Sequence, residues 1–114
     1  MKNILKIDLD RAPRGITDPV ALVDASPLDL ERYLNISFDR SRDDLDDLYA
    51  ACIKTDNGTY FGLVYHLNAP TKGMEVRIKE PCRNPVELWK EFMGILSGMN
   101  PHYIWIRPDL MDEK

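Results

Sequence analysis

The fold is decided by residues 48–67, LYAACIKTDNGTYFGLVYHL, in which two apolar runs flank Asp56-Asn57-Gly58. Asn-Gly is the strongest short-range signal for a β-hairpin, because a two-residue type I′ turn requires a positive φ at both central positions. The stretch therefore predicts an antiparallel hairpin with a positive φ at Asn57 and at Gly58. The other segments of the chain can be arranged around this hairpin.

A two-residue turn would place Asp56 opposite Thr59 and would give the hairpin two largely apolar faces. Such a pair belongs in the middle of a sheet rather than at a half-solvated edge. We expect the first face to line the core, and it comprises Leu48, Ala50, Cys52, Phe61, Leu63, Tyr65 and Leu67. The second face comprises Tyr49, Ala51, Ile53, Tyr60, Val64 and His66.

Two helix starts are marked by capping residues. Ser26 and Asn84 can each cap a helix whose first residue is the proline that follows, and proline suits that position. These signals predict helices over residues 27–34 and 85–97. The second helix carries an apolar stripe that we expect to pack on the sheet, namely Leu88, Trp89, Phe92, Ile95, Leu96 and Met99.

Three further strands follow from alternating apolar residues, at 3–9, 74–79 and 103–107. Loops are expected at 11–18 and 37–47, and Val20 to Val23 is not assigned to an element. The resulting order is β-α-β-β-β-α-β in one domain that covers residues 1–114. This order predicts an α+β fold with an antiparallel sheet and two helices packed on it.

Composition and charge exclude several classes of protein. The formal net charge is -4 and the pI is about 5.1, which disfavours a nucleic-acid-binding protein. No stretch has the apolar length of a transmembrane helix, and charges enter the N-terminus too early for a signal peptide. Cys52 and Cys82 are expected to be free thiols in a reducing compartment. We therefore expect a cytoplasmic protein without a membrane partner.

Residues 7–10, IDLD, place Asp8 and Asp10 two positions apart at the end of a predicted strand. Carboxylates at this spacing point the same way and could share a divalent cation. The stretch resembles the start of haloacid-dehalogenase-type phosphatases, which carry an aspartate pair after a buried first strand. Arg11 and Ala12, however, stand where that family has a glycine or threonine turn, and 114 residues are too few for its parallel sheet. We predict a polar strand face that continues into a loop.

The histidines and cysteines show no recognisable ligand or catalytic spacing. His66, His102, Cys52 and Cys82 are scattered, whereas zinc sites use short spacings such as C-x-x-C or H-x-x-x-H. A catalytic Cys-His pair requires contact in the fold, which spacing alone does not give. We predict no catalytic residue, no metal and no cofactor, and the roles of these four residues stay open.

Acidic residues are concentrated in one part of the chain. Residues 18–47 hold nine carboxylates against three arginines, which leaves six negative charges, and the remainder of the chain is +2. The densest part, 39–47, lacks the central glycine and the final glutamate of an EF-hand loop. We expect this part to bind a positively charged protein. The candidate contact residues are Asp39, Asp43, Asp44, Asp46 and Asp47.

Two functions from different classes remain. The first is a non-catalytic protein-binding module, most concretely an immunity or antitoxin-type inhibitor that masks the active site of a basic, nuclease-like toxin. Acidic residues would steer association and aromatic anchors would slow dissociation. The second is a small enzyme or ligand-binding domain with a pocket between the sheet and the helices. Its polar groups would be His66, Cys52 or the pair Asp8 and Asp10.

Overall fold

A computed structural model of the chain describes residues 4–42, 47–79 and 83–111. Seven described strands form one antiparallel sheet with three helices packed on it, which confirms the predicted α+β class. The strands are β1 (Ile4–Ile7), β2 (Ile16–Val23), β3 (Asp39–Arg42), β4 (Asp47–Thr55), β5 (Tyr60–His66), β6 (Met74–Lys79) and β7 (Tyr103–Ile106). The helices are α1 (Pro27–Leu34), α2 (Pro85–Leu96) and α3 (Pro108–Met111).

The predicted order of elements lacks two of these strands. β2 covers residues for which the sequence predicts a loop or nothing, and its alternation is broken by register irregularities on either side of Asp18 and Pro19. β3 has the sequence DRSR, which contains no apolar residue, so no alternation can indicate it. It is a strand because it pairs with the apolar strand β4. Tertiary pairing here overrides a weak local signal.

The strand order across the sheet is β1-β4-β5-β6-β2-β7, and β3 also pairs with β4. β1 pairs with the C-terminal half of β4 and β3 with its N-terminal half, so both lie at the same end of the sheet. β7 lies at the opposite end. Because β1 and β2 are separated by three strands, residues 8–15 must cross one face of the sheet.

The helices cover the other face and form the core with it. Phe92 of α2 lies between Phe61 of β5 and Trp89, with ring centroids 5.1 Å and 5.7 Å away. Trp89 also meets Tyr103 of β7 edge-on at 5.2 Å. Leu30 of α1 belongs to the same buried cluster. The predicted apolar stripe of α2 is confirmed for its fully buried members, Trp89, Phe92, Ile95 and Leu96.

The two predicted helix caps differ in the structure. The Ser26 hydroxyl accepts a hydrogen bond from the Asp29 backbone N–H at 3.2 Å, and the Asp29 carboxylate accepts one from Ser26 N–H at 3.0 Å. This reciprocal pair is a capping box. Asn84 makes no such bond, because its side-chain amide donates to Glu87 Oε1 at 3.2 Å instead. None of the described helices is long and apolar enough to cross a bilayer.

The hairpin is present, but its turn is one residue longer than the predicted type I′ turn. Thr55 N–H donates to the Thr59 carbonyl at 2.9 Å, and Gly58 N–H donates to the Thr55 carbonyl at 2.9 Å. Of the loop residues, Gly58 has a positive φ of 82°, whereas Asn57 does not. This is the three-residue hairpin loop that ends in a left-handed glycine. The prediction of a positive φ at Asn57 is wrong.

The longer turn changes which side chains share a face. Ile53 pairs with Phe61, and Cys52 pairs with Gly62. A shift of one residue moves every side chain of one strand to the other face, so the predicted first face is wrong for β4. It is confirmed for β5, whose Phe61 and Leu63 lie in the core. The face towards the helices carries Tyr49, Ala51, Ile53, Phe61, Leu63 and Tyr65. The opposite face, called the second face below, carries Leu48, Ala50, Cys52, Gly62, Val64 and His66.

Candidate functional site

The predicted acidic site lies on the hairpin formed by β3 and β4, at one end of the sheet. Asp39 pairs with Ala50 and Arg42 pairs with Asp47, so the two described carboxylates lie at opposite ends of this short ladder. The remaining three predicted residues, Asp43, Asp44 and Asp46, lie outside the described residues.

Both described carboxylates of the hairpin have a cation close by. Asp39 Oδ2 is 3.1 Å from Lys6 Nζ of β1. Asp47 Oδ2 is 3.5 Å from Arg40 Nη2, and its Oδ1 is 3.4 Å from Arg42 Nε. The two arginines are mostly exposed, so the ion pairs of Asp47 contribute little stability, whereas Lys6 is only 19% exposed. The described part of the hairpin is therefore close to neutral.

Arg40 also contacts an aromatic ring. Its guanidinium carbon lies 5.5 Å from the ring centroid of Tyr49, its cross-strand partner. This cation–π contact holds Arg40 along the surface of the hairpin, where its Nη2 reaches Asp47. The cation is thus oriented by two neighbours, and neither of them is buried.

The structure does not bring Cys52 and His66 together. Cys52 is a free thiol with 3% of its surface exposed, and burial raises its pKa, which disfavours the nucleophilic thiolate. His66 lies on the same face but four positions away along the ladder, about 13 Å at strand spacing.

The carbonyl of His102 accepts a hydrogen bond from Asp24 N–H at 2.8 Å. Cys82 lies outside the described residues.

Asp8 and Asp10 do not lie on a strand. β1 ends at Ile7, and Asp8 C=O accepts a hydrogen bond from Arg11 N–H at 2.9 Å, which closes a short 3-10 turn. The geometry that would let the two carboxylates share a cation is therefore lost. Within residues 4–42, 47–79 and 83–111, no three His, Cys, Asp or Glu side chains are grouped as a metal site would require.

The second face carries a charged cluster that is not among the site residues predicted from the sequence. Glu75 Oε1 of β6 accepts from Arg77 Nε at 2.6 Å and from Arg77 Nη2 at 2.5 Å. His66 Nε2 lies 3.8 Å from the same oxygen. All three side chains are about three quarters buried. The alternation of β6 places Glu75 and Arg77 on the face away from the helices, and the register shows that His66 joins them.

A cavity of about 240 Å³ lies on the second face rather than between the sheet and the helices, where the second hypothesis expects a pocket. A larger one, of about 340 Å³, lies beside Ile4, Lys54 and Asp56. In the first cavity, Ala12 and Pro13 of the crossing segment, together with Ile16 at the start of β2, lie over a floor of β4 and β5 residues that includes Cys52 and Gly62. The difference follows from the connection between β1 and β2, which the sequence does not show, because the position of β2 is itself missed.

Exposed apolar side chains mark the opposite end of the sheet. Ile104 is 40% exposed and Trp105 is 43% exposed, both on β7. Trp105 pairs with Leu22 and Tyr103 with Val23, so Ile104 is an extra residue that bulges from the ladder. The bulge separates Tyr103, which packs on Trp89, from Trp105, which faces solvent. Trp105 is therefore a surface aromatic, distant from the acidic hairpin.

Comparisons with protein-family models, with curated proteins and with solved structures find no match for this chain.

Proposed function

We propose that the chain is a non-catalytic protein-binding module of the immunity or antitoxin type, which acts in the cytoplasm. It would neutralise a basic, nuclease-like toxin through the acidic β3–β4 hairpin. The observation that carries the proposal is the surplus of six negative charges in residues 18–47, which is densest in this hairpin. The free thiol of Cys52 is consistent with a reducing compartment.

The carboxylates of the hairpin have different roles in this proposal. Asp39 and Asp47 are matched by Lys6, Arg40 and Arg42, so they add little to the surplus. By formal charge, the negative surplus of residues 39–47 is contributed by the aspartates at positions 43, 44 and 46. A concentration of like charge in a small protein creates a negative potential that attracts a basic partner and accelerates association.

The ion pairs of Asp47 can be exchanged at little cost. Exposed pairs of this kind are worth about 0–1 kcal/mol, and the Arg40 and Arg42 side chains are 59% and 81% exposed. Arginine or lysine side chains of a partner can therefore replace Arg40 and Arg42 beside Asp47 without loss of fold stability. The two described aspartates would then form short-range contacts after the other three have steered the encounter.

The proposal is tested by isolating the partner from the native host with the immobilised chain. One variant carries Asp43→Asn, Asp44→Asn and Asp46→Asn. A matched control carries Asp8→Asn, Asp10→Asn and Glu87→Gln, which changes the net charge equally at sites outside residues 18–47 and outside the β3–β4 hairpin. We expect a stoichiometric complex with a protein of high pI, retained by the control and weakened in the hairpin variant. An acidic partner, a small metabolite, or equal binding by both variants would contradict the proposal.

A further inference from the structure

The segment between β1 and β2 is short for the distance that it crosses over the second face. Four strand spacings separate β1 from β2, about 19 Å in total. The eight connecting residues, 8–15, span at most about 28 Å when fully extended, and three positions of this stretch form a compact 3-10 turn. The segment therefore runs directly across the sheet and forms a roof over it.

The sheet beneath this roof is built from small residues. Ile7, Cys52, Gly62 and Arg77 are successive partners in the register, so they form one row below the segment. The row is tight at Gly62, where a Cβ atom would lie 3.0 Å from Ile16 Cγ2. Beside this contact, the small side chains leave about 240 Å³ unfilled. An apolar cavity of about 150 Å³ is enough to hold benzene.

The cavity presents no net charge to a ligand. Cys52 stays in its neutral thiol form, because burial raises its pKa. Arg77 is the charged residue of the lining, and its charge is matched by Glu75 through two contacts of 2.5–2.6 Å. The rest of the floor is aliphatic and buried, with Ala50 at 9% and Val64 at 8% exposure. These walls favour an uncharged ligand, since an ion would lose its hydration without a partner.

The roof is held by few hydrogen bonds. Within residues 8–15, the described part of the chain shows one backbone bond, from Arg11 N–H to the Asp8 carbonyl. Segments with few backbone bonds and few buried contacts open more readily than the sheet below them. The cavity is also partly open to solvent beside the roof, so a ligand can enter while the floor keeps its shape.

We infer that this cavity is a binding site for a small neutral apolar molecule, of the size of a single aromatic ring or a short branched aliphatic chain. The site lies on the second face, and its floor residue Ala50 pairs with Asp39 of the β3–β4 hairpin. The row that contains Cys52 and Gly62 has no part in the proposed protein binding, and this ligand site gives it a role.

The test is a titration of the isotope-labelled protein with benzene, followed by amide NMR shifts. We expect saturable shifts at Ala50, Cys52, Gly62 and Val64, with a dissociation constant in the millimolar range, about 1 mM. Cys52→Leu fills the cavity and should weaken binding at least about tenfold. Cys52→Ala, a matched control at the same position, should retain binding.

A second filling variant, Ala50→Val, replaces Cys52→Leu if the latter does not fold. The inference is overturned if wild-type shifts at these floor residues do not saturate. It is equally overturned if the filled and the enlarged variants bind benzene alike. The wild-type titration decides the outcome even if neither filled variant folds.

Discussion

Ile16 packs directly over Gly62, and a Cβ atom at Gly62 would lie 3.0 Å from Ile16 Cγ2 and 3.5 Å from Arg77 Cβ. The absence of a side chain at Gly62 therefore allows the connection between β1 and β2 to pass close to the sheet. This contact joins residues that are 46 positions apart in the sequence. It fixes how closely the crossing segment covers the second face.

The first prediction concerns this contact. Gly62→Ala should lower the free energy of unfolding by about 1–3 kcal/mol, because the added methyl group forces Ile16 away from the sheet. Urea denaturation measures the loss. In combination with Ile16→Ala, which removes the opposing group, the two losses should be less than additive. Strict additivity would show that the two side chains do not meet.

The second prediction distinguishes the three-residue turn between β4 and β5 from the two-residue type I′ turn that the sequence predicts. Gly58 has a φ of 82°, and no atom lies within 4 Å of where its Cβ would be, so the cost of a side chain comes from the backbone alone. Gly58→Val should cost about 1–2 kcal/mol in the free energy of unfolding. Asn57→Val should cost clearly less, since Asn57 does not have a positive φ. Equal losses would support the type I′ turn instead.

The third prediction tests the core face of α2. Phe92 is fully buried and contacts the rings of Phe61 and Trp89. Phe92→Ala should lower the free energy of unfolding by about 3–5 kcal/mol. Met93→Ala, at the next position of the helix, should cost much less because that side chain is only partly buried. A loss below about 1 kcal/mol for Phe92→Ala would mean that the buried face is assigned wrongly.

The fourth prediction concerns pH. Burial raises the pKa of the Cys52 thiol above its ordinary value, so the folded state holds this proton more tightly than the unfolded state. The stability that this provides is complete below the unfolded pKa of about 8.5 and is lost as the pH rises through the folded pKa. The urea midpoint should therefore fall above about pH 8.5.

The same fall should be smaller in Cys52→Ala, which lacks the titrating group. Tyr103 has a pKa raised by burial as well, so part of the decline should persist in this variant. Parallel midpoint curves for wild type and Cys52→Ala would contradict the assignment to Cys52.

Local signals in the sequence were sufficient for some elements and insufficient for others. The helix starts at Pro27 and Pro85 were predictable, because proline at the first turn acts within a few residues. The turn of the hairpin was not, since Asp56-Asn57-Gly58 fits both a two-residue and a three-residue loop. That one-residue difference reversed the predicted face of β4, whereas the predicted face of β5 was correct.

The remaining strand, the cavity and the ion pairs depend on contacts between residues that are distant in the sequence. β3 is a strand only through its pairing with β4. The cavity exists only because three strands separate β1 from β2. The ion pair between Lys6 and Asp39 likewise joins two strands whose proximity no spacing in the sequence reveals. Of the candidate site, the concentration of acidic residues was visible in the sequence, whereas their neutralising partners became clear only from the register.

The most direct test of the acidic hairpin is the rate of association with the isolated partner, at about 0.05 M and about 0.5 M salt. Wild type should associate much faster at low salt, because the exposed charges are then poorly screened. The variant with asparagine at positions 39, 43, 44, 46 and 47 should associate more slowly and depend less on salt, with its fold intact. Association that is indifferent to both the substitutions and the salt would contradict the account.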